Sequence, residues 1–262
     1  MTYMENYKFW LNQKELDPSL KEELLQLNDE QIKESFYTDL GFGTGGMRGL
    51  MGVGTNRINL YTIRRATLGF ARYIKKNKIS GGIAIAYDNR KDSKRFAKES
   101  AMVLAAQGID SYLFDALRPT PMLSYAVRHF NGAGGIMITA SHNPKAYNGY
   151  KAYDKTGAQL SPKDASLVIS EISETLDMDK NEIQAYTEEV MDRFKNPYIK
   201  HALADIALNS ISKFKVRVLP SLLGYYKTTK KLPTSLTFSL ACLIQFYKGT
   251  WNNEALPVKD TP

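Results

Sequence analysis

A serine in a short polar segment is the sharpest chemical feature of the chain. Ser141 lies within the run Thr139-Ala-Ser-His-Asn-Pro144, which follows an apolar segment that ends at Ile138. Pro144 restricts the backbone, so we expect the serine to occupy a loop of fixed shape. A serine hydroxyl is a weak nucleophile on its own and needs a base or a lowered pKa. The groups that surround Ser141 therefore decide its chemistry.

Basic side chains stand at several other points where ligand contacts are expected. Arg48 lies in a glycine-rich stretch, Arg90 and Arg118 each follow an apolar run, and Lys151 comes shortly after the serine. Guanidinium groups pair bidentately with phosphate oxygens, so arginines around a serine hydroxyl suit a phosphorylated ligand. Arg118 has two open interpretations, a ligand contact or a brace of its own loop.

Two other kinds of site fit the sequence less well. The elbow of a serine hydrolase needs a glycine two residues either side of its serine, where this chain has Thr139 and Asn143. Gly41, Gly43 and Gly46 spell the dinucleotide motif G-x-G-x-x-G. That motif should follow a strand, whereas a helical pattern precedes it here.

The segments around these residues alternate between strand and helix patterns. Short apolar runs bounded by turn residues are typical of strands, and apolar residues three or four apart indicate helices. We predict strands at 83–87, 109–114, 135–138 and 214–219, and helices at 60–74, 92–107, 120–130, 162–176 and 184–208.

This alternation predicts an α/β fold, with a mixed, mostly parallel sheet in an α/β/α layered domain. Ligands bind such sheets beyond the carboxyl ends of the strands, where Arg90, Arg118 and Ser141 fall. Residues 1–40 form a predicted helical N-terminal arm. Seven glycines among the fourteen residues from 41 to 54 predict an irregular loop.

Three arginines of the helix predicted at 60–74, Arg64, Arg65 and Arg72, are assigned to a solvated face.

Composition excludes several classes of protein. The 262 residues are 43% hydrophobic and 24% charged, which is typical of a globular chain. The single cysteine excludes an intrachain disulfide. We find neither a secretory leader nor the roughly 20-residue apolar run of a membrane span, and expect a cytoplasmic protein without a membrane partner.

The net charge of +8 belongs mostly to the tail. Eight basic and two acidic residues follow from Lys213 onward, which leaves +2 for the rest. The excess of basic residues is therefore concentrated in the tail, and we expect no nucleic-acid partner. The weaker alternative is that this tail docks on nucleic acid or an acidic membrane.

The chain resembles the α-D-phosphohexomutase family, the phosphoglucomutases and phosphomannomutases. Order and spacing match the family's first domain, and the resemblance covers roughly residues 1–215. The segments that carry it are Phe42-Gly-Thr-Gly-Gly-Met-Arg48-Gly49, Tyr87-Asp-Asn-Arg90, Arg118-Pro-Thr-Pro121, Thr139-Ala-Ser-His-Asn-Pro144 and Asn148-Gly-Tyr-Lys151.

The resemblance implies a set of catalytic roles. Ser141 would carry a phosphoryl group, give it to a sugar monophosphate, and recover the other phosphate of the resulting bisphosphate. Arg48 would neutralise the phosphoserine. His142 and Lys151 would lie near the transferring oxygens, with Lys151 a candidate general acid or base.

The resemblance also implies binding groups. Arg90, Asn143, Arg118 and Thr139 are the expected substrate and phosphate contacts, with Arg90 organising the site from the side. Mg²⁺ would bind the phosphate of Ser141 and three aspartates of a DGDxDR loop. Sugar phosphates are the expected partners, with glucose 1,6-bisphosphate as activator.

Departures from the family pattern shape the prediction. The sequence has no DGDxDR loop, no GEESGG-like sugar loop and no distal phosphate loop. We predict phosphohexomutase domain I at 41–180 and the start of a second domain at 181–262, with an unrecognisable basic tail from about 216. The predicted function is a truncated glucose 1-phosphate/glucose 6-phosphate mutase, with mannose or pentose phosphates open as substrates because the sugar-selecting loop is missing. The alternative is a non-catalytic phosphosugar-binding remnant, and the oligomeric state stays open between monomer and dimer.

Overall fold

The computed structural model describes residues 2–14, 16–43, 45–174 and 199–202. The helices of these residues are α1 (Tyr3–Leu11), α2 (Pro18–Gln26), α3 (Asp29–Phe36), α4 (Leu60–Lys76), α5 (Ser93–Ala106), α6 (Thr120–His129) and α7 (Pro162–Glu174). The strands are β1 (Gly46–Leu50), β2 (Ile83–Tyr87), β3 (Ser111–Phe114), β4 (Gly134–Ile138), β5 (Tyr147–Tyr153) and β6 (Ile199–Ala202).

One mixed sheet joins the six strands in the order β1-β5-β4-β2-β3-β6. The pairs β2–β3, β2–β4 and β3–β6 are parallel, whereas β5 runs antiparallel to both β1 and β4. The predicted α/β class with a mixed, mostly parallel sheet is therefore confirmed. The elements α4, β2, α5, β3, α6, β4 and α7 follow the predicted alternation, and β2 has the predicted bounds, whereas β5 has no counterpart in the prediction.

Helices cover both faces of this sheet. A Cβ placed on Gly134 would lie 3.1 Å from the ring of Phe70 in α4, and one on Gly135 would lie 2.8 Å from Val127 in α6. Successive strand residues point to opposite faces, so α4 and α6 lie on opposite sides of β4. This is the layered α/β/α arrangement expected from the sequence.

The prediction of an irregular loop over residues 41–54 is wrong for β1. Gly46 to Leu50 pair residue by residue with Tyr147 to Lys151 of β5. A Cβ on Gly46 would lie 2.0 Å from the carbonyl oxygen of Tyr150, so glycine is what lets the two backbones approach. The glycines here permit strand pairing instead of preventing it.

The predicted helix at 184–208 is wrong over Ile199–Ala202. These residues form β6, which pairs in parallel with β3 from Ser111 to Phe114. The exposed edge of β3 supplies backbone partners that a local sequence pattern does not reveal. The remainder of that predicted helix and the predicted strand at 214–219 lie outside the described residues.

The N-terminal arm forms its own hydrophobic cluster against the domain. Trp10, Leu24 and Phe36 are buried together with Val53 from the segment after β1. Carboxylate oxygen Oε1 of Glu23 also accepts the backbone N–H of Val53 at 3.1 Å. The arm is helical, as predicted, while the domain boundary at residue 40 stays a prediction.

The assignment of Arg64 to a solvated face is wrong. Arg64 is buried, and its Nε lies 2.7 Å from Oε2 of the buried Glu99 on α5. A buried guanidinium needs such a partner, because an unpaired charge is costly in the interior. The partner lies on another helix, so the pattern of α4 alone cannot show it.

Within the described residues, no helix is both long and apolar enough to cross a membrane.

Candidate active site

Ser141 lies directly beyond the carboxyl end of β4, in a segment that we call the serine loop (residues 139–147). It is exposed, and its backbone has a positive φ of 59°. Its N–H donates to Oγ1 of the buried Thr139 at 2.9 Å. A non-glycine residue with positive φ is uncommon and persists where neighbouring groups hold it. The loop thus presents the serine hydroxyl in a constrained backbone.

Arg90 holds the serine loop from the side. Its Nη1 donates to the carbonyl oxygens of Pro144 at 2.9 Å and Tyr147 at 3.0 Å. Its Nη2 donates to those of Ser141 at 2.9 Å and Asn143 at 2.7 Å.

The remaining donor of Arg90 faces a carboxylate. Its Nε lies 3.3 Å from Oδ2 of Asp88. An arginine has five N–H donors, and in this arrangement all five face protein oxygens. The geometry favours bracing of the loop over direct contact with phosphate.

Arg48 reaches the serine loop from β1. It is exposed, and its Nη1 donates to Oδ1 of Asn143 at 3.1 Å. Its side chain crosses Gly149 of β5, where a Cβ would lie 2.8 Å from Cγ of Arg48. Glycine at this position therefore gives the arginine its path toward the loop.

Lys151 lies on the same face of the sheet as Arg48. Gly149 pairs opposite Arg48, and residues two apart on a strand share a face. Burial lowers the pKa of the Lys151 ammonium, and the nearby charge of Arg48 lowers it further. A lysine with a lowered pKa exchanges protons more readily at neutral pH, which suits acid–base work.

Two other predicted residues differ in their surroundings. His142 follows Ser141 and is exposed. Arg118 donates to the carbonyl oxygen of Leu117 at 2.8 Å and to Oδ1 of Asp115 at 3.3 Å. Burial lowers the pKa of its guanidinium. These contacts within its own loop favour the interpretation of Arg118 as a brace.

The structure therefore brings Arg48, Arg90, Asn143 and Thr139 into contact with one another or with the backbone of the serine loop. Lys151 lies beside Arg48. The catalytic and binding roles of these residues stay predictions.

Three residues of this network escaped the sequence analysis. Asp88 accepts the backbone N–H of Arg90 at 3.0 Å and the hydroxyl of Ser93 at 2.7 Å. The amide of Asn148 donates to the same hydroxyl at 3.0 Å. Asp88 and Asn148 lie within two of the segments that carry the family resemblance, so their positions could have indicated a role in the site. Nothing in the sequence distinguishes Ser93.

The described residues contain no group of three or more histidine, cysteine, aspartate or glutamate side chains that could hold a metal ion. The nearby carboxylate of Asp88 is engaged by Arg90 and Ser93. The described part of the chain does not fit the magnesium ligand set implied by the resemblance.

Two family models match the sequence. The model described as phosphoglucomutase/phosphomannomutase, alpha/beta/alpha domain I, matches residues 39–179, which include the whole serine loop. The model described as mannitol dehydrogenase C-terminal domain matches residues 139–262 and overlaps the first match.

Similar proteins are considerably longer than this chain. A phosphoglucomutase of Staphylococcus haemolyticus (strain JCSC1435) is 42% identical over 165 residues, which covers 58% of this chain and 30% of that protein. A phosphoglucomutase of Staphylococcus aureus (strain USA300) is 39% identical over 214 residues, which covers 76% of this chain and 39% of that protein.

A solved structure of a putative phosphomannomutase from Thermus thermophilus has a TM-score of 0.48 and 33% identity. The match covers 52% of this chain and 30% of that one.

Proposed function

The chain belongs to the phosphoglucomutase/phosphomannomutase family through its α/β/α domain I, and from this premise we propose that it accepts and donates a phosphoryl group at Ser141 as part of a phosphosugar mutase reaction. The proposed substrates are glucose 1-phosphate and glucose 6-phosphate. The observation that carries the proposal is the exposed Ser141, held at positive φ beyond β4, with the guanidinium of Arg48 bonded across its loop.

The proposed chemistry is a phosphoryl transfer in two directions. Transfer from a sugar bisphosphate forms a bond between phosphorus and Oγ of Ser141 and breaks the bond between phosphorus and the sugar oxygen. The serine gives up its hydroxyl proton to a base, and the departing sugar oxygen gains one. In the reverse direction, a hydroxyl of a sugar monophosphate loses its proton to a base and forms a bond to the phosphorus of the phosphoserine. The bond between phosphorus and Oγ of Ser141 breaks, Oγ regains a proton, and the sugar carries its second phosphate ester.

The residues near the loop supply what such a transfer needs from the protein, which is positioning and charge neutralisation. Arg48 and Lys151 share one face of the sheet, and Arg48 brings positive charge to the serine loop. Lys151 serves as the proposed acid–base group, because its lowered pKa increases the fraction of neutral amine at a given pH. Arg90 and Thr139 hold the backbone that carries Ser141.

Family membership implies Mg²⁺, which would neutralise charge on the transferred phosphate. Among the described residues, no cluster of carboxylates or histidines fits such an ion. The choice among glucose, mannose and pentose phosphates stays open, and the cytoplasmic location and the absence of nucleic-acid or membrane partners stay predictions.

A second candidate is a phosphosugar-binding protein that completes no turnover. The positive charge of Arg48 at the serine loop suits binding of a phosphate whether or not a phosphoryl group is transferred. The chain spans 30% and 39% of the length of the two staphylococcal phosphoglucomutases.

One pair of assays tests the proposal and separates the two candidates. The purified chain is incubated with glucose 1,6-bisphosphate and Mg²⁺, and phosphorylation of Ser141 is followed by mass spectrometry. Turnover of glucose 1-phosphate to glucose 6-phosphate is followed in parallel, with a trace of the bisphosphate. Ser141→Ala is the control in both assays.

We expect phosphorylation of the wild type that Ser141→Ala abolishes. Turnover with the same dependence identifies a working mutase. Bisphosphate binding with neither phosphorylation nor turnover contradicts the proposed transfer and supports the second candidate.

A further inference from the structure

A chain of buried and half-buried polar groups links the serine loop to the strand that carries Lys151. Ser93 and Asn148 are both fully buried. The Ser93 hydroxyl donates to Oδ1 of Asp88 at 2.7 Å and accepts from the amide of Asn148 at 3.0 Å. Asp88 in turn holds Arg90 through both of its carboxylate oxygens.

Each end of this chain touches a different part of the candidate site. Arg90 donates to four carbonyl oxygens of the serine loop. Asn148 belongs to β5, two residues before Tyr150 and three before Lys151. It also donates to the carbonyl oxygen of Lys91, at 2.9 Å, which ties β5 to the segment before α5.

From this arrangement we propose that Ser93 is a positioning residue, which sets the placement of Arg90 and the serine loop relative to β5. The inference rests on the proposed function and deepens it, since it concerns how the loop of Ser141 is held relative to the strand of Lys151. Ser93 touches neither the serine loop nor Lys151 in this role, and it acts through Asp88, Arg90 and Asn148.

A hydroxyl suits this position because it donates and accepts at the same time. Alanine at position 93 leaves an oxygen of the half-buried Asp88 without one of its donors and an N–H of the fully buried Asn148 without its acceptor. Buried polar groups that lose a partner carry a free-energy penalty, which the network relieves by shifting its members. We expect the carboxylate of Asp88, which orients Arg90, to move first, because it bonds Ser93 directly.

Ser100 offers a matched control on the same helix. It is as fully buried as Ser93, and its hydroxyl also joins two partners. It donates to the carbonyl oxygen of Phe96 at 3.0 Å and lies 3.2 Å from Oγ1 of Thr67 on α4. Ser100→Ala therefore removes an equivalent buried hydroxyl that bonds toward α4 and not toward the serine loop.

The first test measures amide hydrogen exchange of the serine loop in the chain without any ligand. We expect Ser93→Ala to speed exchange of the loop amides roughly tenfold relative to the wild type, after correction for global stability. Ser100→Ala should leave loop exchange unchanged. Wild-type exchange in Ser93→Ala, or equal acceleration by both variants, overturns the proposal.

A double-variant comparison tests the route through Arg90. Arg90→Lys removes the planar fork that holds the loop carbonyls. If Ser93 acts through Arg90, adding Ser93→Ala to Arg90→Lys accelerates loop exchange much less than Ser93→Ala does alone. Full additivity of the two effects overturns this route.

Exchange needs no activity, so it stays informative if Ser141 is never phosphorylated and the proposed function fails. If the wild type is phosphorylated, the maximal rate of transfer from glucose 1,6-bisphosphate should fall in Ser93→Ala at unchanged half-saturation, and be retained in Ser100→Ala. A reduced half-saturation affinity without a change in maximal rate contradicts positioning of the reacting groups.

Discussion

At Lys151, burial and the charge of Arg48 both lower the pKa of the ammonium. The unfolded chain has neither influence, so it keeps this proton to higher pH than the folded chain does. Between the lowered pKa and the ordinary value of 10.5, the unfolded state binds more protons. This group therefore makes the folded state more stable as pH rises through that window, and less stable below it.

The prediction at this residue is that Arg48→Gln raises the pKa of Lys151. The glutamine removes the positive charge and leaves most of the burial, so the pKa should rise only part of the way toward 10.5. NMR titration of the lysine Cε resonances in labelled protein measures the change. Arg128→Gln on α6 is the control and should leave the Lys151 titration in place, whereas an unmoved pKa in Arg48→Gln contradicts the role of that charge.

Individual residues of the candidate site differ in how far the sequence predicts them. Ser141 and Arg48 stand in motifs whose residue types imply their chemistry, and both are found at the serine loop. Ser93 and Asn148 bond to each other across 55 positions of sequence. The sequence alone does not distinguish Ser93 from other serines at the start of a helix. Only the folded chain brings their hydrogen-bonding groups together.

At the scale of elements, the pairing of β1 with β5 depends on glycine. Gly46 has a φ of 148°, and a Cβ there would lie 2.0 Å from the carbonyl oxygen of Tyr150. Gly43, in the same stretch, would place its Cβ 3.8 Å from the nearest neighbour. The two glycines thus differ in how much their lack of a side chain matters.

We expect Gly46→Ala to lower the free energy of unfolding by about 3 kcal/mol, because the strands must separate to admit the methyl group. Gly43→Ala should change it by less than about 1 kcal/mol. Urea denaturation of both variants measures the difference. Equal effects of the two substitutions would show that the close approach of β1 to β5 is not limiting.

Elements differ in how far their sequence alone predicts them. The periodic apolar residues of α4 and the apolar run of β2 are local signals, and both elements form where predicted. β1 is rich in glycine and pairs with residues about a hundred positions later, so its local pattern is that of a loop. β6 has a helical local pattern and becomes a strand only because it pairs with the edge of β3.

The N-terminal arm is a stabilising element by its contacts. Phe36 of α3 is fully buried and packs edge-on against Trp10, with ring centroids 5.7 Å apart.

Phe36→Ala should lower the free energy of unfolding by about 4 kcal/mol, through lost burial and the cavity left behind. Leu25→Ala on α2, where the side chain is 64% exposed, should change it by about 0.5 kcal/mol or less. Thermal and urea denaturation compare the pair, and a mild effect of Phe36→Ala would mean that the arm contributes little to the fold.

At the scale of the whole molecule, the chain divides into a compact unit from Met1 to Leu203 and a second unit from Ala204 to Pro262. The first unit contains the six strands of the described sheet and both hydrophobic clusters of the described core. A unit of this size with its own core is expected to fold alone. It also contains every residue of the candidate site.

We therefore expect a fragment of residues 1–203 to unfold cooperatively in urea, with serine-loop exchange equal to that of the full chain. A fragment of residues 1–198 lacks β6 and leaves the edge of β3 unpaired, so its unfolding midpoint should be lower. Trp10 is buried in the arm and is the one tryptophan of both fragments, so its fluorescence reports unfolding in each. A non-cooperative transition of 1–203 would show that the first unit needs the remainder of the chain, and equal midpoints would show that β6 adds nothing to its stability.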